Sequence, residues 1–460
     1  MFTFLYRLCA ALVLCTLLLL SSCQKFTEVS APQNLILSDD VFTSDATANS
    51  AVAGLYSQLM RPHLYFANSG LSIFPALSAD ELYNTAPNEN FDPVRSNDIP
   101  SSQIGVLSWF WNSAFQTIYQ CNALLEGFSK QNRLTPSIQQ QLRGEALFVR
   151  AFSYFYLVNL FGDLPLPIST DYRVNAVLPR IPVANIYEQI VTDLEAAIED
   201  LPAQQINSTR TRPNKWAAQA LLARVYLYLG RWEDAVTATS GIIDNNDFIL
   251  GTNLESVFLI GSKETVWQLA LAGSSNSTSQ AVQFIPSSAS TRPTFSTTAS
   301  LWQSFETGDN RASAWLKTAI IGGETYHYPF KYKQRTGTTT TEYNIVFRLA
   351  ELYLIRAEAL AMQQQPEPAL EDLNKVHTRA GLAPLASLTG ETLLNAIEKE
   401  RFVELFTEWG HRWFDLKRTG RSDAVLGPLK GASWQSSDVL YPVPLEELQR
   451  NVYLQQNPGY

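Results

Sequence analysis

The chain predicts a mainly α-helical fold, a scaffold of tetratricopeptide-like helical hairpins that carries long loop insertions and a small β-hairpin region. Three observations lead there. Several segments place apolar residues at helical spacing over successive turns. Two segments, Trp216–Asp244 and Phe347–Gly381, repeat one theme: a small-residue helix, a short turn, and a second helix starting near an alanine. Between the helical parts lie stretches rich in Pro, Ser, Thr and Gly with no sustained period.

Taken in order, Ser44–Met60 predicts the first helix, with Val52, Leu55, Tyr56 and Leu59 on one face. Arg61–Ser108 holds Pro62, Pro75, Pro87, Pro93 and Pro100, and long irregular structure is expected there. Helical spacing returns with Trp111, Phe115, Ile118, Asn122 and Leu125. Thr135-Pro136 supplies an N-cap and a first-turn proline for a helix reaching Phe161. That helix is apolar on nearly all faces, so it belongs at the centre, and Gly162, Asp163 and Pro165 stop it. Ile186, Ile190, Leu194 and Ala197 mark another helix. In the two repeated segments, small residues at the crossing let paired helices approach closely. The copies are too far apart in sequence to be adjacent repeats, which implies helix pairs stacked around insertions. Gly251–Tyr343 offers Glu264–Leu271 and Tyr326–Lys333 as strands. Helix returns over Glu391–Glu408, and a proline-containing tail closes the chain at Tyr460. The expected organisation is one domain over 44–460, with insertions at 61–110 and 251–343.

Hydrophobic residues make up 46% and charged residues 17% of the 460, a globular composition. The net charge is −9 and no Lys/Arg-rich run exists, which argues against nucleic acid and polybasic docking to lipid. The N-terminus carries Arg7, an apolar run from Leu8 to Leu20, and then Ser21-Ser22-Cys23. That run is too short to span a bilayer permanently and has the order of a secretory signal. Leu20-Ser21-Ser22-Cys23 looks like a bacterial lipobox. Residues 1–22 are then a signal peptide, Cys23 the lipidated first residue, and 23–43 a tether to the membrane. Cys9 and Cys15 leave with the signal, so Cys121 is a lone thiol and expected in the core.

Chemistry is sparse. The four histidines (His63, His327, His377, His411) form no HExxH pair, and the chain has neither a Gly-x-Ser-x-Gly elbow nor a phosphate loop. Glu400, Glu404, Glu408 and His411 fall on one face of a continued helix. With Arg401 and Arg412 beside them, a structural ion network is expected there, not catalysis or a metal site. No cofactor and no metal is expected.

Four segments together resemble the SusD/RagB family of Bacteroidetes outer-membrane lipoproteins. They are Trp111–Leu125; Gly144–Leu160 running into Phe161-Gly-Asp-Leu-Pro165; Phe347–Ala359 with Leu373–Val376 and Arg379–Leu382; and Glu398–Leu405 with Gly410–Gly420, closing on Pro442-Val-Pro and Gln456-Asn-Pro-Gly-Tyr460. The resemblance implies a non-enzymatic surface protein that captures oligosaccharides, or in some members peptides. It implies delivery of that cargo to a SusC-like TonB-dependent transporter as partner, from a lipid-anchored position facing the cell exterior. A glycan hydrolase and a purely protein-binding helical adaptor are the alternatives. Family motifs belong to the scaffold, so Trp111 and Trp413 are expected in the core.

Sugar faces are recognised by flat rings, and their hydroxyls by amides, carboxylates and guanidinium groups. The first insertion offers Phe74, Asp80, Tyr83, Asn84, Phe91, Arg95 and Trp109, and the second offers Phe284, Arg292 and Phe295. Trp109 lies two residues before Trp111, off that helix's core stripe, and is the leading stacking candidate. Asp80 either orients a ligand or caps a helix, and the cap is favoured.

Overall fold

The structure is a computed structural model that describes residues 1–7, 41–61, 64–130, 133–273 and 275–460. The lipobox and Cys23 lie outside the described residues.

Helix α1 (Asp45–Leu59) opens on Ser44, whose hydroxyl accepts from the Thr47 amide, and buries Ala48, Val52, Leu55 and Leu59. The proline-rich stretch departs from expectation. It packs as a π-type turn (Phe66–Gly70), α2 (Leu71–Ser78), β1 (Leu82–Asn84) and α3 (Asp92–Ser96), and every residue of α2 is buried. Pro93 sits at the start of α3, where a missing N–H costs nothing, Pro87 and Pro100 lie between elements, and Pro75 lies inside α2. Helix α4 (Ile104–Lys130) begins about two turns before the predicted Trp111 stripe. Helix α5 (Pro136–Phe161) is the predicted central helix, and Gly162 ends it at φ 73°. The Thr135 side chain does not cap it; its hydroxyl donates to Asp45, 2.7 Å away, and so pins α1.

Besides a single helical turn at Tyr172–Asn175, the remaining α-helices among the described residues are α6 (Val183–Asp200), α7 (Lys215–Tyr228), α8 (Trp232–Ile243), α9 (Ser279–Phe284), α10 (Ala299–Ser304), α11 (Asn310–Trp315), α12 (Leu349–Met362), α13 (Pro366–Arg379), α14 (Gly390–Leu405), α15 (His411–Arg418), α16 (Ser422–Lys430) and α17 (Leu445–Arg450). Each of α4, α5, α6, α7 and α8 packs on the next, and α8 packs on α12, α12 on α13 and both on α14. The two repeated hairpins are therefore neighbours in space through α8 and α12. The chain between them loops out and returns. Alanines at 217, 218, 220 and 223 in α7, and at 350, 357 and 359 in α12, are fully buried where the helices meet.

The strands make three two-stranded antiparallel sheets: β1 with β3 (Phe295–Thr297), β2 (Thr265–Leu269) with β6 (Asn344–Arg348), and the hairpin β4 (Leu316–Ile321) with β5 (Glu324–Pro329). Phe347, predicted to start a helix, ends up in β6.

Buried polar ties explain the signature segments. Arg150 of α5 donates to Asp193 of α6 at 2.6 and 2.7 Å and to Asn122 of α4 at 2.8 Å, joining three helices. Arg224 of α7 donates to Glu351 of α12 at 2.6 and 2.8 Å and to the Tyr156 hydroxyl of α5 at 2.7 Å. Asn457 in the closing tail donates to the carbonyls of Phe161 and Tyr441. Trp111, Trp413 and Cys121 lie in the core as predicted, and burial pushes the Cys121 thiol far above its ordinary range.

The carboxylate face is a buried ion network, but not along one helix. Helix α14 ends at Leu405, and positive φ at Thr407, Trp409 and Gly410 turns the chain. Arg311 pairs with Glu400 at 2.6 Å and Glu404 at 3.0 Å, Arg348 with Glu404 at 2.5 Å and Glu408 at 2.8 Å, and Lys331 with Glu408 at 2.6 Å. The surrounding cations hold Glu404 well below the usual carboxylate range. This network fastens the second insertion to the scaffold. His411 lies apart from it, 3.9 Å from Glu351, and burial keeps it neutral.

Candidate functional site

The two insertions predicted separately meet. Strand β1 from the first pairs with β3 from the second, in the register Leu82↔Thr297, Tyr83↔Ser296 and Asn84↔Phe295. Beneath this ribbon runs a chain of rings: Phe74 on Phe91 at 5.9 Å, Phe91 on Phe295 at 4.9 Å, and Phe295 on Phe284 at 6.1 Å between centroids.

That chain corrects part of the sequence prediction. Phe74, Phe91, Phe284 and Phe295 are all buried and have no face free for a ligand. They are the floor that locks the insertions together. Asn84 is buried too, donating to Asp92 and to the Ala86 carbonyl at 2.7 Å each. Asp80 caps no helix; it is paired with a guanidinium. Its carboxylate takes a bidentate pair from Arg412 at 2.7 and 2.8 Å, and its carbonyl accepts from the Thr298 hydroxyl. Asp80 does line a small polar cleft of about 360 Å³ beside α10, with Ser300, Ser304 and Glu398, but with its charge already satisfied.

Four candidates remain at the surface. Trp109 is half-buried, stacked on Tyr65 at 5.7 Å and resting on Phe74 at 5.8 Å. Tyr83 is half-buried on β1, and Arg95 and Arg292 are exposed. Arg292 donates to the Thr85 carbonyl at 3.0 Å, joining the two insertions, and lies 5.6 Å over the Tyr326 ring of β5.

Sequence reasoning missed a flat platform in the second insertion. Trp302 of α10 is 37% exposed and stacks on His327 of β5, with centroids 3.6 Å apart and planes 5° from parallel. The Thr298 cap turns α10 so that Leu301 is buried while the next residue, Trp302, faces out. On β5, the two-residue period puts His327 on the face opposite Tyr326, which is buried. Its cross-strand partner Thr318 holds the ring through a 2.9 Å contact to Nδ1. Burial lowers the His327 pKa, so the ring is neutral at physiological pH. A large exposed tryptophan on a helix so short, flanked by Ser and Thr, was the available signal. The stack with His327 depends on a tertiary contact.

An exposed, neutral aromatic plane makes a surface that stacks on polar ring-shaped ligands. Among the described residues no three His, Cys, Asp or Glu side chains gather to hold a metal, and no helix is long and apolar enough to cross a membrane.

Comparison with known proteins agrees with the fold. Residues 42–227 match a family model described as SusD-like, starch-binding associating with outer membrane, and residues 296–460 match the SusD family model. SusD-like protein P2 of Formosa agariphila is 27% identical, over 96% of this chain and 98% of its own length. A SusD superfamily protein from Bacteroides vulgatus superposes with TM-score 0.80 at 19% identity, over 90% of this chain and 99% of that one. A laminarin binding SusD-like protein superposes with TM-score 0.78 at 23% identity, over 91% and 100%. The chain belongs to the SusD/RagB family.

Proposed function

We propose that this protein is a cell-surface binding lipoprotein, without enzymatic activity, that captures oligosaccharides and hands them to a SusC-like TonB-dependent transporter. The observation that carries the glycan is the exposed Trp302–His327 platform in the second insertion. A sugar stacks its apolar face on Trp302. The laminarin-binding relative supports a carbohydrate cargo. The burial of the strongest carboxylate cluster in ion pairs supports binding without turnover, because paired acids are held from proton transfer. Lipid on Cys23 and outer-membrane placement rest on the lipobox and on the family description.

The test is calorimetry of the purified protein against neutral oligosaccharides of α- and β-linked glucose, xylose and mannose, with Trp302→Ala and Trp109→Ala alongside. Loss of stacking predicts roughly tenfold weaker binding in Trp302→Ala, with the thermal midpoint unchanged. Binding unaffected by Trp302→Ala refutes the platform, turnover of any glycan at enzymatic rates refutes the class, and peptide binding in its place moves the cargo to peptides. Co-purification with the transporter, and its loss on deleting the transporter gene's product, tests the partner.

A further inference from the structure

Large apolar side chains crowd the surface where the segment after α5 meets the closing tail. Residues 166–178 expose Ile168, Tyr172, Val174 and Val177, and the tail adds Val452 and Tyr453. Tyr172 is 77% and Val452 83% exposed, and the other four are each more than half exposed. Hydrogen bonds brace the two stretches side by side. Asn451 donates to the Leu178 carbonyl and Arg180 to the Gln455 carbonyl, at 2.8 Å each. At its other end the segment is gripped by α4. Asn122 donates to the Pro167 carbonyl at 2.9 Å, and Glu126 accepts from the Thr170 amide and hydroxyl at 2.7 and 2.8 Å. Tyr119, also exposed, lies on that same face of α4, one turn before Asn122.

Apolar residues exposed singly need no explanation, but a braced group of six does. Each leaves on the order of 100 Å² open, roughly 700 Å² together, against the about 300–600 Å² of the largest patch on a typical monomer. One partner contributes about 800 Å² to a stable protein interface, so the patch has the size of half an interface. The only charged residues in 166–178 and 451–455, Asp171 and Arg173, pair with each other at 3.0 Å. An anionic lipid surface finds no unpaired cation here, on a chain of net charge −9, whereas an uncharged protein face meets no repulsion. The patch also lies at the end of α4 from which the tether leaves. Phe42, at the start of the scaffold, packs edge-on against Phe128 at 5.3 Å, two residues beyond Glu126. Lipid on Cys23 draws this end toward the membrane.

We infer that this patch is the docking surface for a membrane-embedded protein with an uncharged apolar rim, namely the proposed transporter. The inference rests on that partner reading and assigns the surface it uses. Tyr172 and Tyr453 are the anchors, since rings carry most of the energy in such contacts. The braced backbone leaves little freedom to be lost on docking.

Co-purification of the full lipidated chain with its SusC-like transporter, from detergent-solubilised membranes of cells expressing both, tests this. One variant combines Tyr172→Ser, Val174→Ser and Val177→Ser, a second combines Val452→Ser and Tyr453→Ser, and Ile320→Ser on the β4–β5 hairpin is the control. Each patch variant retains at least about tenfold less transporter, at unchanged thermal midpoint and oligosaccharide affinity, while Ile320→Ser retains it all. Wild-type retention in either patch variant, or equal loss in Ile320→Ser, overturns the inference and leaves the transporter docked elsewhere. Absence of transporter from the wild-type preparation overturns the partner reading, and the inference with it. A wild-type dimer in sedimentation that the patch variants break, in place of transporter loss, makes the occupant a second copy. Binding to phosphatidylethanolamine–phosphatidylglycerol vesicles that the variants lose, again in its place, makes it lipid. Either result overturns the inference.

Discussion

Replacing Asp80 by Asn separates the two roles this residue can have. Its carboxylate is 3% exposed and forms a bidentate pair with Arg412, itself 9% exposed. Removing one partner of a buried pair costs about 3–5 kcal/mol, because the other charge is left without compensation. Arg412 keeps a second partner, Glu398 at 2.9 Å, and lies 4.2 Å over the Phe402 ring, so the lower end, about 3 kcal/mol, applies. At ~2 cal/mol/K per residue, the unfolding entropy of a chain this size approaches ~0.9 kcal/mol/K, and the melting midpoint drops by about 3–4 °C. Scanning calorimetry measures the midpoint, and titration with the best-bound oligosaccharide measures affinity. The expected pattern is a lowered midpoint with unchanged affinity. Adding Arg412→Met to Asp80→Asn recovers part of the loss, since the stranded charge is gone. An unchanged midpoint combined with lost affinity would make Asp80 a ligand contact and refute the reasoning.

Other outcomes follow from the same kind of accounting. Burial pushes the Glu81 carboxyl up to about 8, against the Thr407 amide it accepts from at 2.9 Å. Because the folded value lies above the unfolded one, the fold binds the extra proton, and stability is lost as pH rises from about 5 to about 8. Glu81→Gln removes that dependence, so its midpoint falls less than the wild type's over this window; parallel curves would show that Glu81 is ionised in the fold. Gly410 sits at φ 73°, and a Cβ there would lie 2.8 Å from Phe414 and 3.0 Å from Pro75. Gly410→Ala combines left-handed strain with overpacking and costs about 2–3 kcal/mol, visible as a midpoint drop of a few degrees. Asn122→Ala strands one Arg150 donor, which Asn122 meets at 2.8 Å, and removes one of two donors to the Pro167 carbonyl, which keeps the Tyr154 hydroxyl at 2.7 Å. It costs about 2 kcal/mol without weakening oligosaccharide binding, whereas weakened binding at full stability would place the signature helix in the site.

The sequence alone determined the scaffold helices, because their causes are local, but not the short helices within the two insertions. Apolar spacing, Pro136 at the start and Gly162 at the end of α5, and the alanine-rich hairpins are each legible within a few residues. The Glu400, Glu404 and Glu408 cluster was legible as a structural network for the same reason: mixed charges on a helical segment read as ion pairs. Its partners Arg311 and Lys331 come from the second insertion and Arg348 from the strand after it, and they could only be assigned in three dimensions.

Tertiary structure decided the site. Phe74 and Phe295 are chemically as fit to stack on a sugar as Trp302, and composition cannot rank them. Pairing of β1 with β3 closes the insertions over those phenylalanines and turns them into core. The same closure leaves Trp302 outside, flat against His327. Asp80 was open to two roles until Arg412, more than three hundred residues away, arrived beside it. Helix formation is set by neighbours in sequence, whereas exposure is set by neighbours in space, and a binding surface is made of what the second set leaves uncovered.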